Sequence, residues 1–289
     1  MLMVLNFKKD AKYFANSLTK KSFEEDINKS KNRWALITGA SGGIGSSYAM
    51  QLAGMGFNLF LTSNKNSSIE LNFLKETISK KFSVSVKTLS LDLSIEKDID
   101  KLILSVKKIK NLTILINCAG FGLGDDFLNV ELKHWMKMIQ LHNIAVVKLS
   151  HSLIPELLKQ KKSYLINVSS LAGFFPMKNS SIYSASKSFL INFSETLHLE
   201  LKNKGLKVQA LCPGFVRTTF FQKSLKANVL PHRKMLFWMK PDAVVKKSIM
   251  DLKNKKNKVI CIPGFPNRFI FFICSLIPKR LYYFLFRKK

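Results

Sequence analysis

Acidic residues are scarce in this chain. Its 289 residues carry 18 Asp and Glu against 47 Lys and Arg, a formal charge of +29. Such an imbalance favours anionic partners: a phosphorylated cofactor or substrate, an anionic membrane surface, or nucleic acid. The cations are scattered, and no zinc-finger or RNP motif accompanies them, so no specific nucleic-acid partner is expected. Cysteine is sparse too. The four cysteines, at 118, 212, 261 and 274, show no CxxC or other metal-ligand spacing, so no metal site is expected. All four sit in or beside apolar text, where free Cys behaves as a small buried hydrophobe, and this fits a reducing, cytoplasmic compartment. Long hydrophobic runs are missing as well. The apolar stretch Met1–Phe7 is too short for a signal-peptide core, and neither apolar run near the C-terminus reaches the ~20 residues that span a bilayer.

What is present is a core-forming composition, 47% hydrophobic and 11% aromatic. Short apolar runs alternate with helical stretches: strands at Trp34–Thr38, Asn58–Thr62, Val84–Leu91, Leu112–Ile116, Tyr164–Val168, Lys207–Leu211 and Val259–Ile262. Helices are expected at Ser46–Gly56, Ile69–Lys81, Ile95–Lys108, Val130–Lys159 (kinked or restarted at Pro155), Tyr183–Lys202 and Pro241–Lys253. This rhythm is that of an α/β protein with a doubly wound parallel sheet of about seven strands and helices on both faces. Residues 1–31 read as an N-terminal extension, 32–265 as the domain, and 266–289 as an apolar, basic tail.

Two stretches carry chemistry. The first is Gly39-Ala-Ser-Gly-Gly-Ile-Gly45 between a strand and a helix. Glycines let backbone approach a pyrophosphate, and the helix N-terminus supplies N–H donors, so Gly39, Ser41, Gly43, Ile44 and Gly45 are candidate dinucleotide contacts. Beyond the second strand stand Ser63, Asn64 and Lys65. No carboxylate is there to accept a ribose 2′-hydroxyl, and one cation is close, so NADP(H) is favoured with NAD(H) left open.

The second stretch is Ser-Ile-Tyr-Ser-Ala-Ser-Lys at 181–187. Tyr183 and Lys187 are four apart, on one face of a helix. A free phenol titrates near pH ~10, and a nearby ammonium lowers that value, which makes the pair a candidate acid/base centre. The alternative is a surface Tyr beside a solvated Lys. Ser170 precedes Tyr183 by thirteen residues. It follows a strand at its carboxyl end, where the ligand crevice of an open α/β sheet lies. Asn143 lies in an apolar helical stripe.

Together these residues resemble the short-chain dehydrogenase/reductase family over roughly residues 33–263. The family's TGxxxGxG fingerprint matches Thr38, Gly39, Gly43 and Gly45. Its NNAG element matches Asn117-Cys118-Ala119-Gly120, with Cys replacing the second Asn. Its catalytic Asn, Ser, Tyr and Lys match Asn143, Ser170, Tyr183 and Lys187. Its PG motif matches Pro213-Gly214, and its adenine-side aspartate matches Asp92. The resemblance implies a Rossmann-type fold and NADP(H)-dependent reduction of a ketone. Tyr183 would be the proton donor, Ser170 would orient the carbonyl, Lys187 would hold the ribose, and Asn143 a water. It adds Thr38, Asp92, Leu93, Asn117, Ala119, Gly120, Tyr183, Lys187, Pro213, Gly214, Val216 and Thr218 to the cofactor contacts. Family members often pair through their two long helices, which implies a homodimer or homotetramer. The text beyond Thr218 is similar to a branch of 3-ketoacyl-CoA reductases and 17-beta-hydroxysteroid dehydrogenases.

The substrate is expected to be an apolar ketone, because residues 219–240 form an apolar, aromatic segment that reads as a lid. The tail at 266–289 alternates apolar and aromatic stretches with cations, a pattern that fits peripheral contact with the inner face of a membrane. A dinucleotide-binding regulator or scaffold at a membrane surface, without turnover, is the alternative function.

Overall fold

The computed structural model describes residues 32–218, 238–254 and 258–286. The expected N-terminal extension at 1–31 therefore lies outside the described residues. So does the expected lid, apart from Trp238–Lys240.

Among the described residues, seven strands form one sheet: β1 Trp34–Thr38, β2 Asn58–Ser63, β3 Val86–Ser90, β4 Leu112–Asn117, β5 Ser163–Val168, β6 Leu206–Leu211 and β7 Ile260–Cys261. Their order is β3-β2-β1-β4-β5-β6-β7. Every pairing is parallel. The inner strands read as unbroken apolar runs because both of their faces are covered. Every residue of β1 and of β4 is buried.

Alternate residues of each strand feed two cores. On one face Ala35, Ile37, Leu59, Leu61 and Ile116 pack with α1 (Gly43–Gly54), α2 (Ser68–Lys81) and α7 (Pro241–Lys253). On the other, Trp34, Leu36, Leu115 and Leu165 pack with α3 (Glu96–Lys107) and α5 (Ala145–Leu158). The expected architecture is thus present. Its outer strands are shorter than the sequence suggests, since β3 spans five residues and β7 two.

The long helix expected at 130–159 is built in pieces. α4 (Leu132–Ile139) runs into a π-helical turn, Gln140–Ile144, and then into α5. The irregularity therefore falls at 140–144, and α5 continues through Pro155. Proline removes one backbone donor there, while Leu153 and Leu157, both fully buried, hold the helix on the sheet around it. A helix α6 (Ser181–Leu201) follows β5 and contacts β6.

Candidate active site

The carboxyl ends of β1 to β6 open onto a cleft of about 500 Å³. The strand order reverses between β1 and β4, which is where an open α/β sheet leaves room for a ligand.

The floor at β1 is the glycine turn. Gly39 has φ +65°, and a Cβ there would stand 2.7 Å from the Cα of Ala119. At Gly45 a Cβ would stand 2.3 Å from the Gly39 carbonyl oxygen. The turn therefore closes on itself and on the β4 loop with bare backbone. α1 starts at Gly43, with no side-chain cap and no acidic residue in its first turn. Its free N–H groups and its dipole make this end of the cleft a site for an anion. A pyrophosphate fits such a cradle, which a side chain at either glycine would fill.

Most candidate cofactor contacts line this cleft: Gly39, Ser41, Gly43, Ile44, Gly45, Ser63, Asn64, Asp92, Leu93, Ala119, Gly120, Tyr183, Lys187, Pro213, Gly214, Val216 and Thr218. Three lie elsewhere. The Thr38 hydroxyl accepts from the N–H groups of Cys118 and Ala119, both at 3.0 Å, and donates to the Ile116 carbonyl at 3.3 Å, so it ties β1 to β4 beneath the wall. The Asn117 amide donates to Asn167 Oδ1 at 2.9 Å inside the sheet. Lys65 is exposed on a short 3₁₀ turn outside the cleft.

Sequence reading missed other residues of the wall. Glu70, in the first turn of α2, lines the cleft beside Ser63, Asn64 and Ser67. The β2 end therefore has a carboxylate after all, brought in from the next helix. Lys137 on α4 also lines the cleft and pairs with Asp92 at 3.0 Å. Burial raises the Asp92 carboxyl, but hydrogen bonds from Ser94 and Lys137 outweigh that, and its pKa lies below the usual value. Asp92 belongs to a strand end and Lys137 to a distant helix, so spacing alone could not pair them.

At the opposite end of the cleft Ser170, Tyr183 and Lys187 converge. Ser170 ends the β5 segment, and its hydroxyl accepts from the Ala172 N–H at 3.1 Å and hydrogen-bonds the Tyr183 phenol. Tyr183 and Lys187 sit one turn apart on α6, with Lys187 Nζ 5.7 Å from the phenol ring centroid. Nζ donates to the Val168 carbonyl at 3.0 Å. Burial pulls Lys187 down to about 8. The phenol is pushed above its usual value by burial, with the Ser170 bond opposing. This departs from the expected lowering. In the protein alone, loss of water around the phenol outweighs any effect of the neighbouring ammonium.

Asn143 stands in the π-turn behind α6, where its amide donates to the Ser186 carbonyl at 3.1 Å, and it does not line the cleft. Cys118 does line it, with a thiol that burial pushes up to about 12, so it is neutral and not a nucleophile at physiological pH.

α8 (Phe265–Leu276) and α9 (Lys279–Phe286) lie beside the segment that follows Ser170. The Phe271 ring is 4.7 Å from Phe174, and the Tyr282 hydroxyl donates to the Pro176 carbonyl at 2.6 Å.

A family model described as short chain dehydrogenase matches residues 33–229. The very-long-chain 3-oxoacyl-CoA reductase of Bos taurus is 35% identical over 189 residues, 64% of this chain and 60% of that protein. Its counterpart in Macaca fascicularis is 34% identical over 199 residues, covering 68% and 63%. The chain thus spans about three fifths of the length of these curated relatives. Among solved structures, a short-chain dehydrogenase from Sphingobium yanoikuyae in complex with NADPH superposes with a TM-score of 0.74 at 27% identity, covering 85% of this chain and 96% of the other. A bulky-bulky ketone specific alcohol dehydrogenase from Comamonas testosteroni gives 0.71 at 25% identity, covering 86% and 96%. A strand–glycine turn–helix cradle faces a Ser–Tyr–Lys cluster across one cleft, and the family model covers most of the sequence that builds both: the chain belongs to the short-chain dehydrogenase family.

Proposed function

We propose that this protein is an NADP(H)-dependent oxidoreductase that reduces an apolar ketone to a secondary alcohol. The observation that carries the reading is the convergence of Ser170, Tyr183 and Lys187 in the cleft that also contains the glycine turn. Relatives named for very-long-chain 3-oxoacyl-CoA reduction point to an acyl ketone, and the bulky-ketone dehydrogenase supports a roomy apolar site. A steroid-like ketone is the other substrate class under this reading. NADP(H) is the proposed cofactor, in line with the absence of a carboxylate at residues 63–65. Glu70 favours the unphosphorylated ribose, so NAD(H) stays open.

When bound, the reduced nicotinamide supplies hydride to the carbonyl carbon. The Tyr183 hydroxyl gives its proton to the carbonyl oxygen. Ser170 donates a hydrogen bond to the same oxygen as negative charge grows there. Lys187 offers a positive charge beneath the phenolate left behind and holds the ribose. Asn143 borders the route by which Lys187 recovers a proton through water. A scaffold without turnover would need none of Ser170, Tyr183 and Lys187 in the cleft.

The charge on Lys187 sets a pH limb. With a value of about 8, the ammonium is present below that pH and lost as pH rises through it. Turnover of a 3-oxoacyl thioester, followed by NADPH oxidation, is therefore expected to fall on the alkaline side of about pH 8. A kcat/KM flat from about pH 6 to about pH 10 contradicts the role given to Lys187.

The reading extends to a membrane surface at 266–289. No described helix is long and apolar enough to cross a bilayer. On α8 the inward positions are Asn267, Phe271 and Cys274, while Phe265, Phe269, Phe272 and Leu276 are exposed. Arg268, Lys279 and Arg280 lie among these apolar groups, and no acidic residue follows Asp251 in the sequence. An apolar segment whose own charged residues are all cations suits anionic lipid and disfavours a second copy of itself. Substituting Phe269→Asp and Phe272→Asp together should abolish flotation with phosphatidylserine-containing vesicles while leaving cofactor binding unchanged; undiminished flotation contradicts the assignment. Pairing of two copies is proposed instead through α5 and α6, where Val147 and Phe189 are exposed.

A further inference from the structure

His142 is fully buried in the π-turn, next to Asn143, and both of its ring nitrogens are engaged. Nε2 accepts from the Phe121 backbone N–H at 3.1 Å. Nδ1 lies 3.0 Å from Ser186 Oγ. The Ser186 hydroxyl donates its own proton to the Tyr183 carbonyl at 2.8 Å. With that proton used, Ser186 Oγ can only accept from His142, so the imidazole is neutral with its proton on Nδ1. The ring also meets Tyr183 edge-on, with centroids 6.0 Å apart, and Phe121 at 5.7 Å. A Cβ at Gly120 would stand 3.0 Å from Nε2, so a side chain there would press the ring away by a few tenths of an ångström.

A buried histidine with two satisfied nitrogens is commonly just a packed core residue. What sets this one apart is what it joins. Phe121 and Tyr183 both line the cleft, from the β4 loop and from the first turn of α6. We propose that His142 is a positioning residue for the ketone reduction. It bridges the two walls of the cleft and holds the first turn of α6 so that the Tyr183 phenol faces Ser170. The bridge works only with a neutral ring, since a proton on Nε2 would face the Phe121 N–H. Burial, reinforced by the Lys187 charge, pushes its pKa well below the usual value and keeps the ring neutral.

This inference rests on the reductase reading, and its test separates the two. His142→Val removes both bonds. Its kcat is expected to fall on the order of tenfold or more, because small misplacement of a reacting group is expensive, with the cofactor Kd within about twofold of the parent. His142→Asn can keep the bond to Ser186, and His142→Gln the bond to Phe121, so each should recover part of the loss. Should the Val variant fail to fold, those two carry the comparison. A kcat within about twofold of the parent in the folded variants, whatever their melting temperatures, overturns the proposal. Parent protein that turns over no ketone overturns the reductase reading. Independently of turnover, a long-range ¹H–¹⁵N spectrum at neutral pH should show a protonated Nδ1 and a bare Nε2. A proton on Nε2 overturns the bridge itself.

Discussion

Tyr183→Phe should reduce ketone turnover by about 10²–10⁴-fold, the range that a positioned general acid supplies. The substitution removes one oxygen from a ring that is otherwise kept, so the wall of the cleft, the edge-on contact with His142 and the cradle at Gly39–Gly45 stay as they are. Cofactor affinity is therefore expected to change by less than about twofold, read by fluorescence titration. The effect should fall on kcat, because proton donation belongs to the transition state and not to binding. Ser170 would still touch the carbonyl oxygen, but it has no ammonium one helical turn away to support its loss of a proton. Turnover within about tenfold of the parent would place the proton donor elsewhere in the cleft.

Gly45→Ala should remove cofactor binding through a different physical effect. The added methyl would stand 2.3 Å from the Gly39 carbonyl oxygen and 2.9 Å from Ala40 Cα. Both neighbours are backbone atoms, so no side-chain rotation relieves the contact. The turn must open, carrying the first N–H groups of α1 away from where a pyrophosphate would lie. Overpacking of this kind costs about 1–3 kcal/mol of stability. Cofactor Kd is expected to rise at least about tenfold, since each ~1.4 kcal/mol of lost binding is a factor of ten. Gly54→Ala is the control in the same helix. There the methyl meets only the Phe82 ring at 3.5 Å, ordinary contact. It should bind cofactor normally and melt no lower than the parent. Equal affinity in both variants would mean that the glycine turn is not the pyrophosphate cradle.

The parts of this molecule that were legible in sequence are those with local causes. Buried parallel strands such as Leu112–Asn117 carry continuous apolar text because helices cover both faces, and their carboxyl ends must gather on one side. That geometry alone brings Gly39, Ser170 and Tyr183 to a common cleft. What was not legible depends on angles between distant elements. Glu70 and Lys137 stand in ordinary helical text, and only the tilt of α2 and α4 carries them into the wall. Thr38 and Asn117 lie next to wall residues in sequence, yet their side chains turn into the sheet, where β4 and β5 offer partners. The π-turn at 140–144 leaves no trace in the apolar spacing, so His142 reads as one more residue of a long helix. The direction of the Tyr183 shift was also hidden, because spacing shows that Lys187 is near but not how completely water is removed from the phenol.

The proposed activity is hydride transfer onto a ketone carbon in this cleft. It is tested most directly by incubating the protein with NADPH deuterated at the transferring C4 position and a 3-oxoacyl thioester, then weighing the product. One deuterium on the new carbinol carbon, in an alcohol that Tyr183→Phe forms about 10²–10⁴-fold more slowly at equal cofactor occupancy, is the predicted result. Full occupancy by cofactor with no labelled alcohol, across acyl and steroid-like ketones alike, would contradict the account and leave a dinucleotide-binding protein without this chemistry.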